Sequence, residues 1–558
     1  MIYNNIRKIT LALIAALCMM SCTDLDVDVE SRYTDENFPT TDADMEAVCG
    51  PAYSKFRPGY GRWYWLMTTA TTDEGTMAVN GPNWYDNGKY GEMSLHTWHP
   101  NSEIVTLNWD NLFSCISECN QILSMLEKAP EIDAKPRYIA EVRTMRALYY
   151  YWMMDNYGDL PIIDKIGIDT PDRSPRKDVA EFIVKELEES YSALTDVVDG
   201  TTYAKPTKYM ADALLAKLYL NWAVYSIDDV ANYEPSNDNP NLDKAIAHCD
   251  NIINSKKYDL SDPWLDRFKD TNGPQIKDFI YAFAYEWTTD RYDWDGITHF
   301  RFWGHKFFEN TFNLKKKPSG VMRANPEFLD IYNLEGDVRN NIWRGGLQYN
   351  EKSGEPFIYE VSKRSHDAYY AGADFEAKIK WHFELTRELV IRGKNDAEKA
   401  DNLRRLDLGN DELGLAMGYR NVKFYPTAES TVHPQSNDMP IFRYADVLLM
   451  KAEAILRGGK STLGETPISL VNKVRTAAEA PQVTAVTLDE ICDERARELA
   501  DEYWRRNDLI RFGKFENDWG LKKASLGTAN TDKYRRVFPV PVTVMQKNIH
   551  WEQTKGYK

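Results

Sequence analysis

A mainly α fold is predicted from three observations. Apolar residues recur at helical spacing across residues 105 to 257, the same spacing returns from 441 to 558, and the stretch between them lacks it. Helical patterns begin near 109, 137, 175, 207 and 243. These starts lie roughly 30 to 40 residues apart, near the repeat of about 34 found in tetratricopeptide hairpins. The expected architecture is a tetratricopeptide-like scaffold of helical hairpins with an inserted, irregular, loop-rich lobe. The chain divides accordingly into a leader (1–21), an N-terminal tether and loops (22–104), the scaffold (105–257), the loop-rich lobe (258–440) and C-terminal helices completing the scaffold (441–558).

The leader has Arg7-Lys8, an apolar run from Ile9 to Met20, then Ser21-Cys22, the pattern of a secretory signal peptide. The run is too short for a bilayer, which needs roughly 20 apolar residues. Cys22 stands directly at the cut and resembles a bacterial lipobox cysteine, the site of lipidation. The expected product is a globule tied to a membrane by acyl chains; ordinary secretion with Cys22 incidental is the alternative. Asp24, Asp26, Asp28 and Glu30 then alternate with Leu25, Val27 and Val29, as in an edge strand or ordered tether.

Trp109, Leu112, Phe113, Ile116, Leu123 and Leu126 form the first long stripe, and Tyr138, Val142, Met145, Tyr149 and Trp152 the second, ended by Gly158 and Pro161. Ser174-Pro175 reads as N-cap and first-turn proline of a helix through Leu194. Two more stripes follow, through Ala211 to Tyr225 and through Ile246 to Ile253. Near the end, Ile441 to Leu456 is closed by Gly458-Gly459, Thr466-Pro467 opens another helix, and Thr487 to Glu490 has capping-box spacing for a helix running toward Arg511. The lobe between contains dense turn residues and Trp264, Trp287, Trp294, Trp303, Trp343 and Trp381.

The net charge of -17 argues against nucleic acid, which calls for a basic surface, and favours neutral ligands or basic partners. Of seven cysteines, Cys18 and Cys22 belong to the leader; the others are scattered and form no disulfide framework. Cys115 and Cys119 share a helical face and suit buried thiols better than a metal site.

Several segments carry a family resemblance. Arg146 to Tyr151 followed by Asn156-Tyr157-Gly158-Asp159-Leu160-Pro161, then Lys208 to Leu220, Asn325-Pro326 with Asp337 and Arg339, and Arg443 to Ala454 occur in order. Asn472 to Arg475, Glu494-Arg495 with Glu498-Leu499, Asp508 to Arg511, Asn548 and Gly556-Tyr557 complete the series. Together they resemble the SusD/RagB family of outer-membrane nutrient-binding lipoproteins of Bacteroidetes, and the acidic residues after Cys22 resemble the export signal to the outer face of that membrane. The resemblance implies a cell-surface binding protein without catalytic activity, partnered with a SusC-type TonB-dependent transporter. Its ligand would be an oligo- or polysaccharide or, in the RagB branch, a peptide.

A glycan site needs exposed indole or phenol faces for stacking, flanked by hydrogen-bonding groups. Two segments offer them. Asn83 to Tyr90, leading to His96-Thr97-Trp98-His99, follows Asp73-Glu74 and has no helical stripe. Here Asp73, Trp84, Tyr85 and Trp98 are the candidates, against the alternative that Trp84 and Trp98 pin a long loop. In the lobe, Trp287, Tyr292, Trp294, Arg301 and Trp303 place rings beside charged groups suited to vicinal hydroxyls. Burial is the competing reading for each ring. Tyr369 and Tyr370 are lesser candidates, whereas Trp109, Trp152, Trp222 and Trp504 read as core.

No cofactor is expected, although the many carboxylates allow a structural calcium ion without any EF-hand spacing. His96 and His99, three apart in a loop, make a poor metal pair. A secreted glycosidase would need two carboxylates about 5 to 9 Å apart across a cleft, and no motif singles out such a pair. Peptide capture, and a scaffolding role for the hairpins, compete with glycan binding.

Overall fold

The structure is a computed structural model that describes residues 38–167, 171–236, 238–290, 296–362, 378–525 and 532–558. The leader, Cys22 and the acidic segment after it lie outside the described residues. Among those described, no helix is long and apolar enough to cross a membrane.

Helix α1 (Asp42–Ser54) opens on a reciprocal cap: Thr41 Oγ1 accepts from the Asp44 N–H, and the Asp44 carboxylate accepts from the Thr41 N–H. It buries Met45, Cys49 and Ala52 and packs against the helix Lys135–Tyr157. The segment read as tether and loops thus already contributes a scaffold helix. Helices α2 (Glu103–Lys128) and α3 (Lys135–Tyr157) form the first hairpin, with Cys115 and Cys119 buried as free thiols. Nearly every residue of α3 after Val142 is buried, as expected for a helix enclosed on all sides. Helix α4 (Arg176–Ser190) packs on α3. Pro175, expected inside its first turn, is instead the N-cap, and the Asp159 carboxylate accepts from the Arg176 N–H.

Helices α5 (Lys208–Leu220) and α6 (Leu242–Ser255) make the next hairpin, and α6 then packs against α7 (Tyr444–Leu456), which packs on α8 (Pro467–Ala477). The two helical halves of the sequence therefore close into one scaffold. The expected caps are present at Thr466 and Thr487, and Gly458 lies past the end of α7 at φ +112. The helix expected to run from Thr487 to Arg511 is broken: α9 (Leu488–Leu499) stops, and α10 (Arg505–Arg511) starts anew. Asp501 and Tyr503 sit between them at φ 58 and φ 68. Such backbone costs a non-glycine residue roughly 1–2 kcal/mol. Buried bonds offset it: Trp65 Nε1 donates to the Asp501 carboxylate at 2.6 Å, the Asp501 N–H donates to Glu74 Oε1 at 2.9 Å, and the Tyr503 hydroxyl meets His299 Nε2.

Buried ion pairs lock these helices together. Lys217 on α5 and Arg495 on α9 both pair with Asp446 on α7 at 2.7 Å. Arg495 also reaches Asp508, which pairs with Arg511, and Arg511 pairs with Glu453. Every member is buried, so each charge depends on its neighbours for solvation.

The lobe matches the irregular expectation. Among the described residues its strands form two-stranded antiparallel ladders: β1 (Gly75–Met77) with β3 (Met322–Ala324), β2 (Phe279–Phe283) with β10 (Met439–Arg443), β4 (Trp343–Arg344) with β9 (Arg420–Asn421), β5 (Gly346–Leu347) with β8 (Glu384–Leu385), and β6 (Ile358–Ser362) with β7 (Lys378–His382). The first two join the lobe to the N-terminal segment and to the start of α7.

Candidate functional site

After β1 the chain is stitched to a distant segment. The Val79 N–H donates to the Leu406 carbonyl at 3.0 Å, and the Val79 carbonyl accepts from the Leu408 N–H at 3.1 Å. The Gly81 N–H donates to Asp407 Oδ1 at 2.8 Å, and Asn80 Oδ1 accepts from Arg323 at 3.0 Å. From this base rises a loop in which Trp84, Asp86 and Asn87 hold φ of 68, 40 and 58. Left-handed backbone is a real outlier for a residue as bulky as tryptophan. Trp84 is fixed there by an edge-on contact with Phe302 at 5.6 Å and by Tyr90 at 5.7 Å. Its indole remains only half-buried.

Cations accompany each partly open ring. The Arg301 guanidinium lies 5.9 Å from the Trp84 ring, and Arg405 lies 4.7 Å from the ring of the half-buried Tyr85. Trp63, also half-buried, belongs to a π-helical turn (Tyr60–Tyr64), a local geometry frequent at functional sites. Arg62 lies 3.7 Å from its ring and Lys89 5.8 Å, and Lys89 also approaches Tyr90. Trp63 is linked to Trp84 through Lys89 and Tyr90, and Tyr85 follows Trp84 in a loop whose Asn83, Asp86 and Asn87 are exposed. Burial lowers the Arg62 pKa to about 10, still well above neutrality. The arrangement provides π faces, donors and acceptors side by side, the requirements for holding a ring with vicinal hydroxyls.

The other expected site residues are distributed differently. Trp98 is buried and donates Nε1 to the Tyr557 hydroxyl at 2.7 Å, so it pins the loop and cannot stack on a ligand. Trp303 is buried edge-on against Trp343 at 5.7 Å and belongs to the core. Asp73 is occupied by Arg505 at 2.6 and 2.8 Å. Trp287 is half-buried, and its backbone N–H donates to Ser436 Oγ at 3.3 Å, which ties it to the other end of the lobe sequence. Tyr292, Trp294, Tyr369 and Tyr370 lie outside the described residues. Of the helical tryptophans, Trp109, Trp152 and Trp504 are core as expected, but Trp222 is only half-buried. His96 is buried with Nε2 on the Thr71 carbonyl at 2.8 Å, and no metal-binding cluster of His, Cys, Asp or Glu occurs among the described residues.

A model described as "SusD family" matches residues 229–557, and one described as "Starch-binding associating with outer membrane" matches residues 26–220. The chain belongs to the SusD family. Among relatives, the starch-binding protein SusD of Bacteroides thetaiotaomicron is 25% identical over 491 residues, covering 85% of this chain and 82% of that protein. Among solved structures, surface glycan-binding protein A of the same species, in complex with laminarihexaose, superimposes with a TM-score of 0.64 at 21% identity, covering 92% of this chain and 100% of that one. A SusD superfamily protein from Parabacteroides distasonis gives 0.66 at 19% identity, covering 94% and 100%. These likenesses establish a SusD-like fold.

Within this SusD-like frame, sequence reasoning missed Trp63, Arg62 and Arg405, and held Lys89 only as part of the segment Asn83 to Tyr90. Arg62-Trp63 gave a local signal, a cation beside an indole. Arg405 gave none, since it comes from the end of a helix (Asp396–Arg405) more than 300 residues away. Behind the face lies an acidic pair. Trp65 stacks on Phe302 at 5.1 Å and donates to Asp501. Burial pushes Asp501 up to about 7, and burial together with the Asp501 charge pushes Glu74 up to about 8.

Proposed function

We propose that this protein captures oligo- or polysaccharide at the cell surface by stacking sugar rings on Trp84, Tyr85 and Trp63, and passes it to a SusC-type TonB-dependent transporter. Cys22 would carry the lipid that holds it at the outer face of the outer membrane, in keeping with a family model described as associating with that membrane. It binds without turnover: the relatives are named as binding proteins, and the face pairs rings with cations instead of opposing two carboxylates. The observation carrying the reading is the half-open Trp84 indole, held at φ 68 beside Arg301 in a chain of this family. Starch and laminarihexaose, named for its relatives, are the first ligands to try.

Calorimetric titration of residues 23–558 against starch, laminarin, xylan, mannan and pectin tests it. Binding to one glycan class, lost on Trp84→Ala and without released sugar, is expected. Affinity confined to peptides, or release of reducing ends, would overturn it.

A further inference from the structure

A separate cavity lies elsewhere in the lobe. It is an open cleft of about 680 Å³, walled on one side by residues 309 to 314 and on the other by the turn and strand 350 to 359. Small-ligand sites span about 300–1,000 Å³.

The two walls are tied by one side chain. Asn350 donates through Nδ2 to the Asn310 carbonyl and to Asn313 Oδ1, while its own Oδ1 accepts from the Lys352 and Ser353 N–H groups. The Glu351 N–H adds a bond to the Thr311 carbonyl at 3.1 Å. The cleft is therefore formed before any ligand arrives, which lowers the cost of binding.

Its chemistry is equally specific. Tyr359 lines the cleft with its ring stacked on Phe307, centroids 4.4 Å apart at 14°, so the phenol is a fixed plate. The Glu309 and Glu355 carboxylates have no protein partner among the described residues, and the carboxamide of Asn310 stands beside them. Among the described residues, no Lys or Arg lines the cleft. A rigid ring edged by acceptors and amides suits a hydroxyl-rich neutral molecule, while two carboxylates with no cation beside them among the described residues disfavour uronates and sulfated sugars. The Trp84 face, rimmed by Arg62, Lys89, Arg301 and Arg405, has the opposite character.

We propose that this cleft is a second saccharide subsite, taking one or two neutral sugar residues independently of the Trp84 face. The proposal builds on the glycan-binding reading, and the experiment separates the two. Saturation-transfer NMR of residues 23–558 would be run with glucose, galactose, mannose, xylose, maltose, laminaribiose, cellobiose and glucuronate. Transfer to at least one neutral sugar should survive Trp84→Ala and fall at least fivefold in both Tyr359→Ala and Asn310→Ala; glucuronate should show none in the Trp84→Ala protein. Asn310 is exposed, so its variant reports on the cleft even where loss of the Tyr359 ring loosens the lobe. Transfer abolished by Trp84→Ala and untouched by the cleft variants overturns the subsite while leaving the proposed function standing. Silence across the neutral panel in the wild-type protein overturns the subsite as well, and polysaccharide titration then decides the function separately.

Discussion

Arg505 grips Asp73 through two parallel bonds, Nε to Oδ1 at 2.8 Å and Nη2 to Oδ2 at 2.6 Å, joining positions 432 residues apart. Asp73 precedes Glu74 and β1, so the pair sets where the Trp84 loop leaves the scaffold. Arg505 is buried and Asp73 mostly so. Removing one partner strands the other charge, at a cost of about 3–5 kcal/mol. Asp73→Ala should lower the free energy of unfolding by about that amount in chemical denaturation, with glycan affinity per folded molecule unchanged. A variant of wild-type stability with lost affinity would instead place Asp73 on the ligand.

Trp84 and Trp98 should separate cleanly. Trp84→Ala removes a half-open ring and should weaken glycan binding at least tenfold, as expected for an aromatic anchor worth more than 1 kcal/mol. Trp98→Ala opens a void in the core and should cost about 3–5 kcal/mol of stability, seen as a lowered Tm. Equal effects of both on affinity at full folding would contradict the assignment.

The Glu74–Asp501 pair predicts a pH dependence. Their folded pKa values, about 8 and about 7, lie above the ordinary 4.5 and 3.8. Between the two limits the native chain keeps protons that the unfolded chain has released, so rising pH favours unfolding. Their contribution is complete below about pH 4 and is lost as pH climbs through about 7 to 8. Glu74→Gln keeps an oxygen for the Asp501 N–H, and should flatten the decline of Tm across that window. An unchanged slope would show that Glu74 is ionised in the fold.

Glu498 works in the opposite direction. Burial pushes its carboxyl up, but Arg443, Arg339 and Arg267 hold it down at about 2. It also accepts from Trp264 Nε1 at 2.9 Å. Its stabilising contribution is present above about pH 4.5 and is lost as pH falls through about 2. Glu498→Ala should destabilise by about 3–5 kcal/mol at neutral pH, read by denaturant titration.

The scaffold was legible in the sequence because its signals are local or chemically distinctive. Helix stripes and caps repeat every few residues, and Lys217, Asp446, Glu453, Arg495, Asp508 and Arg511 all fall in the segments that carried the family resemblance. These are the residues of the buried ion network, so the resemblance reported how helices are fastened. The break between α9 and α10 was hidden, because its cause is a set of bonds to Trp65, Glu74 and His299 from far upstream. The site was legible only in part. Trp84 and Trp98 sit in the same kind of polar loop, yet one ring meets Phe302 edge-on and stays half-open while the other meets Tyr557 and disappears. Composition along a loop cannot tell these apart, since the partners that cover a ring come from elsewhere in the chain.

The stitching of Val79 and Gly81 to residues 406 to 408 bears on how such proteins can be recombined. A chimaera that grafts only the stretch around Trp84 onto another member of the family leaves its backbone amides facing a foreign strand, and Tyr85 without the guanidinium that covers it. If the Trp84 loop binds the glycan as proposed, the unit of recognition is two discontinuous pieces, near 79–90 and 405–411, and an exchange of specificity between relatives has to carry both.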